Sequence, residues 1–158
     1  MLTKSLLSFA ALVLAASASA GEHRYPLSPA YVAECGSCHV AYPPALMTAP
    51  AWAVTLRGLE RHFGTDASLE PKALREIAAL LEAQASTRSK HQPAGQVPRL
   101  TETPWFQKEH RPGELREHEV SPSAGTKGAS LSQCNTCHRR AEQGDFSEGS
   151  LQLGPSRR

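Results

Sequence analysis

All four cysteines of this 158-residue chain lie in two copies of one short frame, Cys-x-x-Cys-His. The copies span Cys35–His39 and Cys134–His138. A Cys-x-x-Cys pair can form a disulfide or a redox-active dithiol, and two such pairs can complete a tetrahedral zinc site. Both chemistries leave the two histidines without a role, which favours a third chemistry that uses them.

Covalent attachment of haem uses every residue of the frame, because Cys-x-x-Cys-His is the c-type attachment pattern. Side chains three and four positions apart share a face of a helical turn, so both thiols can reach one porphyrin edge while the histidine lies under the iron. The sequence therefore predicts two haems c. The predicted thioether residues are Cys35, Cys38, Cys134 and Cys137, and the predicted proximal iron ligands are His39 and His138.

The ligand on the other side of each iron decides what the haem can do. Histidine or methionine there gives a closed, electron-carrying iron, whereas an open position permits binding or chemistry. Apart from Met1, the chain has a single methionine, Met47, so at most one haem can have methionine as its distal ligand. The remaining candidates are His23, His62, His91, His110 and His118.

Two of these histidines border apolar helical faces. His62 lies one turn after Leu59 in a stripe with helical spacing, and a glycine suited to end a helix follows two residues later. His110 lies four residues after Phe106, on one face of a short helix that Thr103 is expected to cap. We therefore predict His62 and His110 as the distal iron ligands.

The pairing of ligands follows from loop length. Closing a short loop costs less entropy than closing a long one. This favours His62 opposite His39, 23 residues away, and His110 opposite His138, 28 residues away. A crossed arrangement is left open because the dependence on length is only logarithmic.

The other candidates have polar or terminal settings. His91 lies in a linker that contains proline and glycine, His118 lies between two glutamates, and His23 is close to the expected mature N-terminus. All three are predicted to be solvated, with His118 as the reserve ligand. Met47 is interpreted as packing in the core.

The first twenty residues have the layout of a secretory signal peptide. Lys4 precedes an apolar run over residues 6–15, and Ala18, Ser19 and Ala20 form a small-residue cleavage site. The apolar run is short for a transmembrane helix, which needs about 20 residues, although an uncleaved anchor is the alternative. We expect a periplasmic mature protein. The formal charge of +2 indicates neither a nucleic-acid nor a membrane partner.

The periodicity is helical and shows no alternating strands. The predicted class is mainly α, a small cytochrome c-like fold built around two covalently bound haems, with a loop-rich C-terminal half. The predicted division is a signal peptide over 1–20, a lobe for haem 1 over 21–90 and a lobe for haem 2 over 91–158. Helices are predicted over 30–39, 51–63, from 71 onward, over 104–110, and from the second frame to about 144, with a linker over 86–100.

Three blocks of the chain resemble the small dihaem cytochrome c family of exported bacterial proteins. They are "ECGSCHVAYPPAL", "TPWFQKEHR" and "CNTCHRRAEQGDF", within a likeness that spans residues 31–146. In that family both haems have bis-histidine coordination, which the resemblance carries onto His62 and His110. Its members pass electrons to a small oxygen-binding monohaem cytochrome c, often alongside a membrane cytochrome b.

The sequence and the resemblance together predict an electron carrier with no catalytic activity of its own. Its expected partners are donor and acceptor proteins, namely a small cytochrome c and a membrane cytochrome b or quinol-oxidising complex, with no nucleic acid and no small-molecule substrate. Two alternatives are kept. One is a dihaem subunit of a larger periplasmic reductase such as nitrate reductase, and the other is a peroxidase-like dihaem enzyme, which would need a releasable iron ligand.

Overall fold

The computed structural model describes residues 23–111, residue 113 and residues 131–152. In these residues the fold is helical, and backbone pairing is limited to isolated bridges. The signal peptide predicted over residues 1–20 and the reserve ligand His118 lie outside the described residues. The helices with defined bounds are α1 (Pro29–Cys35), α2 (Ala49–Arg57), α3 (Pro71–Gln84) and α4 (Pro104–Glu109).

Helix α1 ends at the first cysteine of the first frame. The prediction of a helix through His39 is wrong, because Gly36 follows Cys35 as the C-cap and its amide donates to the Val32 carbonyl at 2.8 Å. Glycine is suited to this position, since a Cβ there would lie 2.5 Å from the Val32 oxygen. The rest of the first frame therefore continues as a turn.

Helix α2 is also shorter than the helix predicted over 51–63. It ends at Arg57 with Gly58 as its C-cap, and a single 3-10 turn, Leu59–Arg61, leads to His62. Phe63 then adopts a left-handed backbone with φ of 50°, and its side chain is 47% exposed. The apolar stripe that the sequence suggested therefore does not reach Phe63.

Helix α3 begins at Pro71, where the sequence predicts it, and packs against α2. Its predicted apolar stripe faces inward, with Ile77 and Leu81 buried. The core around it extends to the first frame and to α4, and Met47 is buried within it. The core cluster is Tyr31, Ala41, Leu46, Met47, Ala51, Trp52, Ile77, Leu81, Leu100 and Phe106.

The core cluster contains residues from both sides of position 90. The division into lobes over 21–90 and 91–158 stays a prediction. None of the helices in the described part of the chain has both the length and the apolar character required to span a bilayer.

Helix α4 has the start that the sequence predicts. The Thr103 hydroxyl oxygen accepts a hydrogen bond from the Phe106 amide at 3.1 Å, and the same hydroxyl donates to the Leu100 carbonyl at 2.9 Å. A capping bond of this kind contributes about 1 kcal/mol. The cap holds the short helix that carries Phe106 into the core and ends next to His110.

The segment that contains the second frame is built from 3-10 turns. These turns are Cys134–Thr136, Ala141–Gln143 and Glu148–Ser150, so the single helix predicted from the frame to Gly144 is wrong. The tight loop closes on itself, because the His138 amide donates to the Cys134 carbonyl at 2.8 Å. Over residues 131–152 the chain is loop-rich, as the sequence predicts for the C-terminal half.

The second frame is attached to the N-terminal residues by backbone hydrogen bonds. The Tyr25 amide donates to the Gly144 carbonyl, and the Phe146 amide donates to the His23 carbonyl, each at 2.8 Å. Gly144 has a φ of 74°, and a Cβ there would lie only 1.9 Å from the Tyr25 oxygen. A side chain at position 144 is therefore excluded by both backbone conformation and space.

Because of this close approach, replacing Gly144 by alanine should lower the free energy of unfolding more than replacing Gly64 does. Gly64 also has a positive φ, 92°, but nothing lies within 4 Å of its would-be Cβ. Gly64→Ala should lower the free energy of unfolding by about 1–2 kcal/mol, the cost of the left-handed backbone alone. Gly144→Ala should cost about 3 kcal/mol or more, because it adds a backbone clash. Urea unfolding followed by circular dichroism measures both, and equal costs would contradict the close contact.

Candidate functional site

Four imidazoles from the predicted ligand set form two facing pairs. The ring centroids of His39 and His62 lie 6.3 Å apart, and those of His110 and His138 lie 6.2 Å apart. All four side chains are half-buried. These are the two pairings that the sequence analysis favoured because they close the shorter loops.

Two of the four rings are oriented by backbone carbonyls. His39 Nδ1 lies 2.8 Å from the Val40 carbonyl oxygen, and His110 Nδ1 lies 3.0 Å from that of Phe106. A carbonyl only accepts hydrogen bonds, so Nδ1 carries the proton in both rings and Nε2 keeps a lone pair for a metal. In contrast, His138 Nδ1 is buried without a hydrogen-bond partner among the described residues.

Each of the four imidazoles also has an aromatic neighbour that is close in sequence. Two of these contacts are parallel stacks and two are inclined, and all restrict rotation of the imidazole ring. The pairs are Tyr42 with His39 at 4.6 Å, Phe63 with His62 at 4.7 Å, Phe106 with His110 at 3.9 Å, and Phe146 with His138 at 5.3 Å between ring centroids.

Burial favours the neutral, metal-binding form of two of the four imidazoles, His138 and His62. The pKa of His138 is lowered to about 4, mainly by burial and further by the neighbouring His110 and His23. The pKa of His62 is also lowered, by burial and by the facing His39. A neutral imidazole has a lone pair available at neutral pH without first losing a proton.

Three of the four frame cysteines have raised pKa values, opposite to the shift of a redox-active dithiol. Burial raises the pKa of Cys35 and of Cys134 to about 11, with a smaller contribution from Glu34 at the first. Burial raises the pKa of Cys137 as well. Catalytic Cys-x-x-Cys motifs depend on a lowered thiol pKa, because the thiolate is the nucleophile.

The spacing of the two pairs fits a metal between the rings. A metal–imidazole nitrogen bond is about 2 Å long. The bonded nitrogen is about 1.1 Å from the ring centre, so two rings on opposite sides of one metal have centroids about 6.2 Å apart. Haem iron takes four ligands from the porphyrin and has two axial positions, one on each side, that protein side chains can fill. The donor set and its spacing therefore suit one haem at each pair.

The other predicted residues have different settings. His91 is only 7% exposed, so the prediction that it is solvated is wrong. Its Nδ1 lies 2.7 Å from the Ser86 hydroxyl and its ring packs edge-on against Trp105, because the linker folds back onto α4. His23 is exposed, in agreement with the prediction.

Asp145 fixes the loop that follows the second frame. Its Oδ1 accepts hydrogen bonds from the Ser147 amide at 3.0 Å and the Ser147 hydroxyl at 2.6 Å. Its Oδ2 forms ion pairs with Arg140 at 2.7 Å and Arg24 at 3.6 Å. The bonds from Ser147, and then the two arginines, lower the pKa of this carboxyl. The sequence analysis did not single out Asp145, because its partners come from both ends of the chain.

Comparison with known proteins identifies one family. The profile of the dihaem cytochrome c family matches residues 31–146. No curated protein matches the chain at a significant level.

Solved structures with significant similarity are dihaem cytochromes c. A diheme cytochrome c from Rhodobacter sphaeroides has 32% identity and a TM-score of 0.60, over 78% of this chain and 99% of that one. DHC purified from Rhodobacter sphaeroides has 37% identity and a TM-score of 0.60, over 77% of this chain and 99% of that one. The diheme cytochrome type c of Shewanella baltica has 36% identity and a TM-score of 0.65, over 82% of this chain and 95% of that one.

The lowered pKa of Asp145 predicts a pH-dependent contribution to stability. A carboxylate with a depressed folded-state pKa stabilises the fold above its unfolded pKa, and this contribution is lost as the pH falls through the folded value. Asp145→Asn should therefore lower the urea midpoint at pH 7, and the difference from the wild type should shrink as the pH falls to about 3.

Asp66→Asn is the matched control. Asp66 accepts a comparable bond from the Ser68 amide at 2.9 Å, but it lies on an exposed loop. The control should change the midpoint much less at pH 7. A difference between Asp145→Asn and the wild type that stays constant from pH 7 to about pH 3 would contradict the role of the charged carboxylate.

Proposed function

The chain belongs to the dihaem cytochrome c family, and from this premise we propose that it is an electron carrier whose two c-type haems each have two histidine ligands. The observation that carries the proposal is the pair of facing imidazoles at each site, with centroids 6.3 and 6.2 Å apart. His39 and His62 would ligate one iron, and His138 and His110 the other. The thioether residues would be Cys35 and Cys38 for the first haem and Cys134 and Cys137 for the second.

Each haem supplies, when bound, an iron that accepts and releases one electron. The residues of the chain keep the ligands in place during that change. The lowered pKa values of His62 and His138 favour the neutral, metal-binding form of these two rings. The Val40 and Phe106 carbonyls hold the His39 and His110 rings in one orientation. With both axial positions taken by histidine, small molecules have no open coordination site, which favours electron transfer over catalysis.

The ligand type also favours a low reduction potential. Methionine as an axial ligand raises the potential of a haem c. Met47 is buried as a member of the core cluster, with 3% of its surface exposed, and each facing pair already offers two imidazoles. We therefore propose that both haems have potentials below those of His/Met cytochromes c.

We propose that the carrier works in the periplasm after removal of the leader over residues 1–20. The leader layout supports export. The resemblance supports a small oxygen-binding monohaem cytochrome c as the electron acceptor and a membrane cytochrome b or another quinol-oxidising complex as the donor. Partners that exchange electrons dock through small transient interfaces, which allow rapid release after transfer.

Removing one distal histidine should vacate an axial position on one iron and leave the other iron with both axial ligands. In His62→Ala and in His110→Ala, one of the two ferric haems should change from low-spin to high-spin, and the reduced protein should bind about one carbon monoxide per chain, because an axial position is vacant. His23→Ala is the control, since this histidine is exposed and should leave both haems low-spin. Optical and electron paramagnetic resonance (EPR) spectra measure the change. If either ligand variant kept two low-spin haems, the histidine replaced in that variant would not be an iron ligand.

The proposed carrier role predicts rapid exchange with a soluble acceptor. The reduced protein, mixed in a stopped-flow instrument with an oxidised small oxygen-binding monohaem cytochrome c, should pass electrons in a second-order reaction, since the encounter is transient. Gel filtration of the same mixture should show no stable complex. A complex with a larger reductase that survives gel filtration would contradict the carrier role and favour a subunit role.

A further inference from the structure

The aromatic ring nearest to His39 belongs to Tyr42, which the sequence analysis did not assign to any role. The two rings stack with centroids 4.6 Å apart and planes 19° apart. The Tyr42 carbonyl accepts a hydrogen bond from the Tyr31 hydroxyl at 2.7 Å, and Tyr31 is a fully buried residue of α1. Tyr42 is therefore held from its backbone side as well as through its ring.

The hydroxyl of the same side chain reaches the segment that contains the second frame. Tyr42 Oη donates to the Ser132 carbonyl at 2.9 Å, across 90 residues of sequence. Ser132 lies two residues before Cys134, and Leu131 beside it packs against the core cluster. The pKa of Tyr42 is raised, first by burial and then by the nearby Cys134 thiol, which agrees with a hydroxyl at the edge of the second frame.

This contact complements the attachment at the other end of the segment. The backbone bonds from Tyr25 and His23 hold the later part, at Gly144 and Phe146. The Tyr42 bond holds the beginning, immediately before the first cysteine of the frame. The second frame is therefore fixed on both sides, and on one side it is fixed to the same residue that stacks on His39.

We propose that Tyr42 is a positioning residue shared by both haem sites. Its ring sets the rotation of the His39 imidazole, and its hydroxyl sets where the second attachment frame begins. The inference rests on the proposed function, which assigns His39 as an iron ligand and Cys134 as a thioether residue. Since electron exchange weakens steeply with separation, one side chain that fixes the placement of both frames also fixes the exchange between the two sites.

Two substitutions separate the two halves of this role. Tyr42→Phe keeps the stacked ring and removes the hydroxyl, whereas Tyr42→Leu removes both. Tyr25→Phe is the matched control, because its half-buried side chain also has a hydroxyl, whose contact with His23 Nδ1 is long, at 3.4 Å. The readouts are the low-spin ferric EPR signals, which report imidazole orientation, and hydrogen–deuterium exchange of the amides of residues 131–138. Spectra of His62→Ala and His110→Ala assign each EPR signal to its haem.

In Tyr42→Phe, the EPR signal of the His39 haem should match the wild type, while exchange over residues 131–138 should become about 2- to 10-fold faster, the factor expected for one lost hydrogen bond. In Tyr42→Leu, exchange should rise by a similar factor and the g-values of the His39 haem should also move. Tyr25→Phe should change neither readout. If Tyr42→Leu fails to mature with two haems, the exchange measured in Tyr42→Phe decides.

Either of two results would overturn the inference: unchanged exchange at residues 131–138 in Tyr42→Phe, or unchanged g-values in a mature Tyr42→Leu protein. A change in melting temperature alone, with both readouts as in the wild type, would identify Tyr42 as ordinary packing. Failure of the proposed function is visible separately, as a high-spin haem in the wild-type spectrum. The exchange measurement on the Tyr42–Ser132 bond does not depend on that spectrum.

Discussion

The structure depends on holding two imidazole rings at a separation that suits one metal atom between them, twice in one small chain. The facing rings have centroids 6.3 and 6.2 Å apart, and each ring is restrained by residues close to it in sequence. A carbonyl one residue ahead orients His39, and a carbonyl one helical turn behind orients His110. Local contacts therefore set the orientation of each ring, and long-range packing sets the distance between the two rings of a pair.

Core packing among the described residues is concentrated in one part of the fold. The core is a single cluster around α2, α3 and α4, and the segment with the second frame contributes little to it. That segment is held instead by backbone bonds from His23 and Tyr25 and by the Tyr42 hydroxyl. A cofactor that binds the native state stabilises the fold further, since such binding favours folding.

The features that could be predicted from the sequence are those with a local physical cause. Helix α3 follows from its apolar spacing after Pro71, and the start of α4 follows from Thr103 as its cap. The attachment frames and the candidate histidines follow from residue type and spacing. Helix ends were less predictable, because Gly36 and Gly58 stop α1 and α2 before the apolar pattern ends. The burial of His91 and the Tyr42–Ser132 bond depend on chain segments far apart in sequence, for which no local pattern exists.

The central claim is that each iron lies between two imidazole nitrogens of the named pairs. X-ray diffraction from crystals of the mature haem-loaded protein, recorded at the iron absorption edge, locates both metals directly. The account predicts two anomalous peaks per chain, one between His39 and His62 and one between His110 and His138. A single peak, or an iron whose second axial ligand is water, Met47 or another histidine, would contradict it.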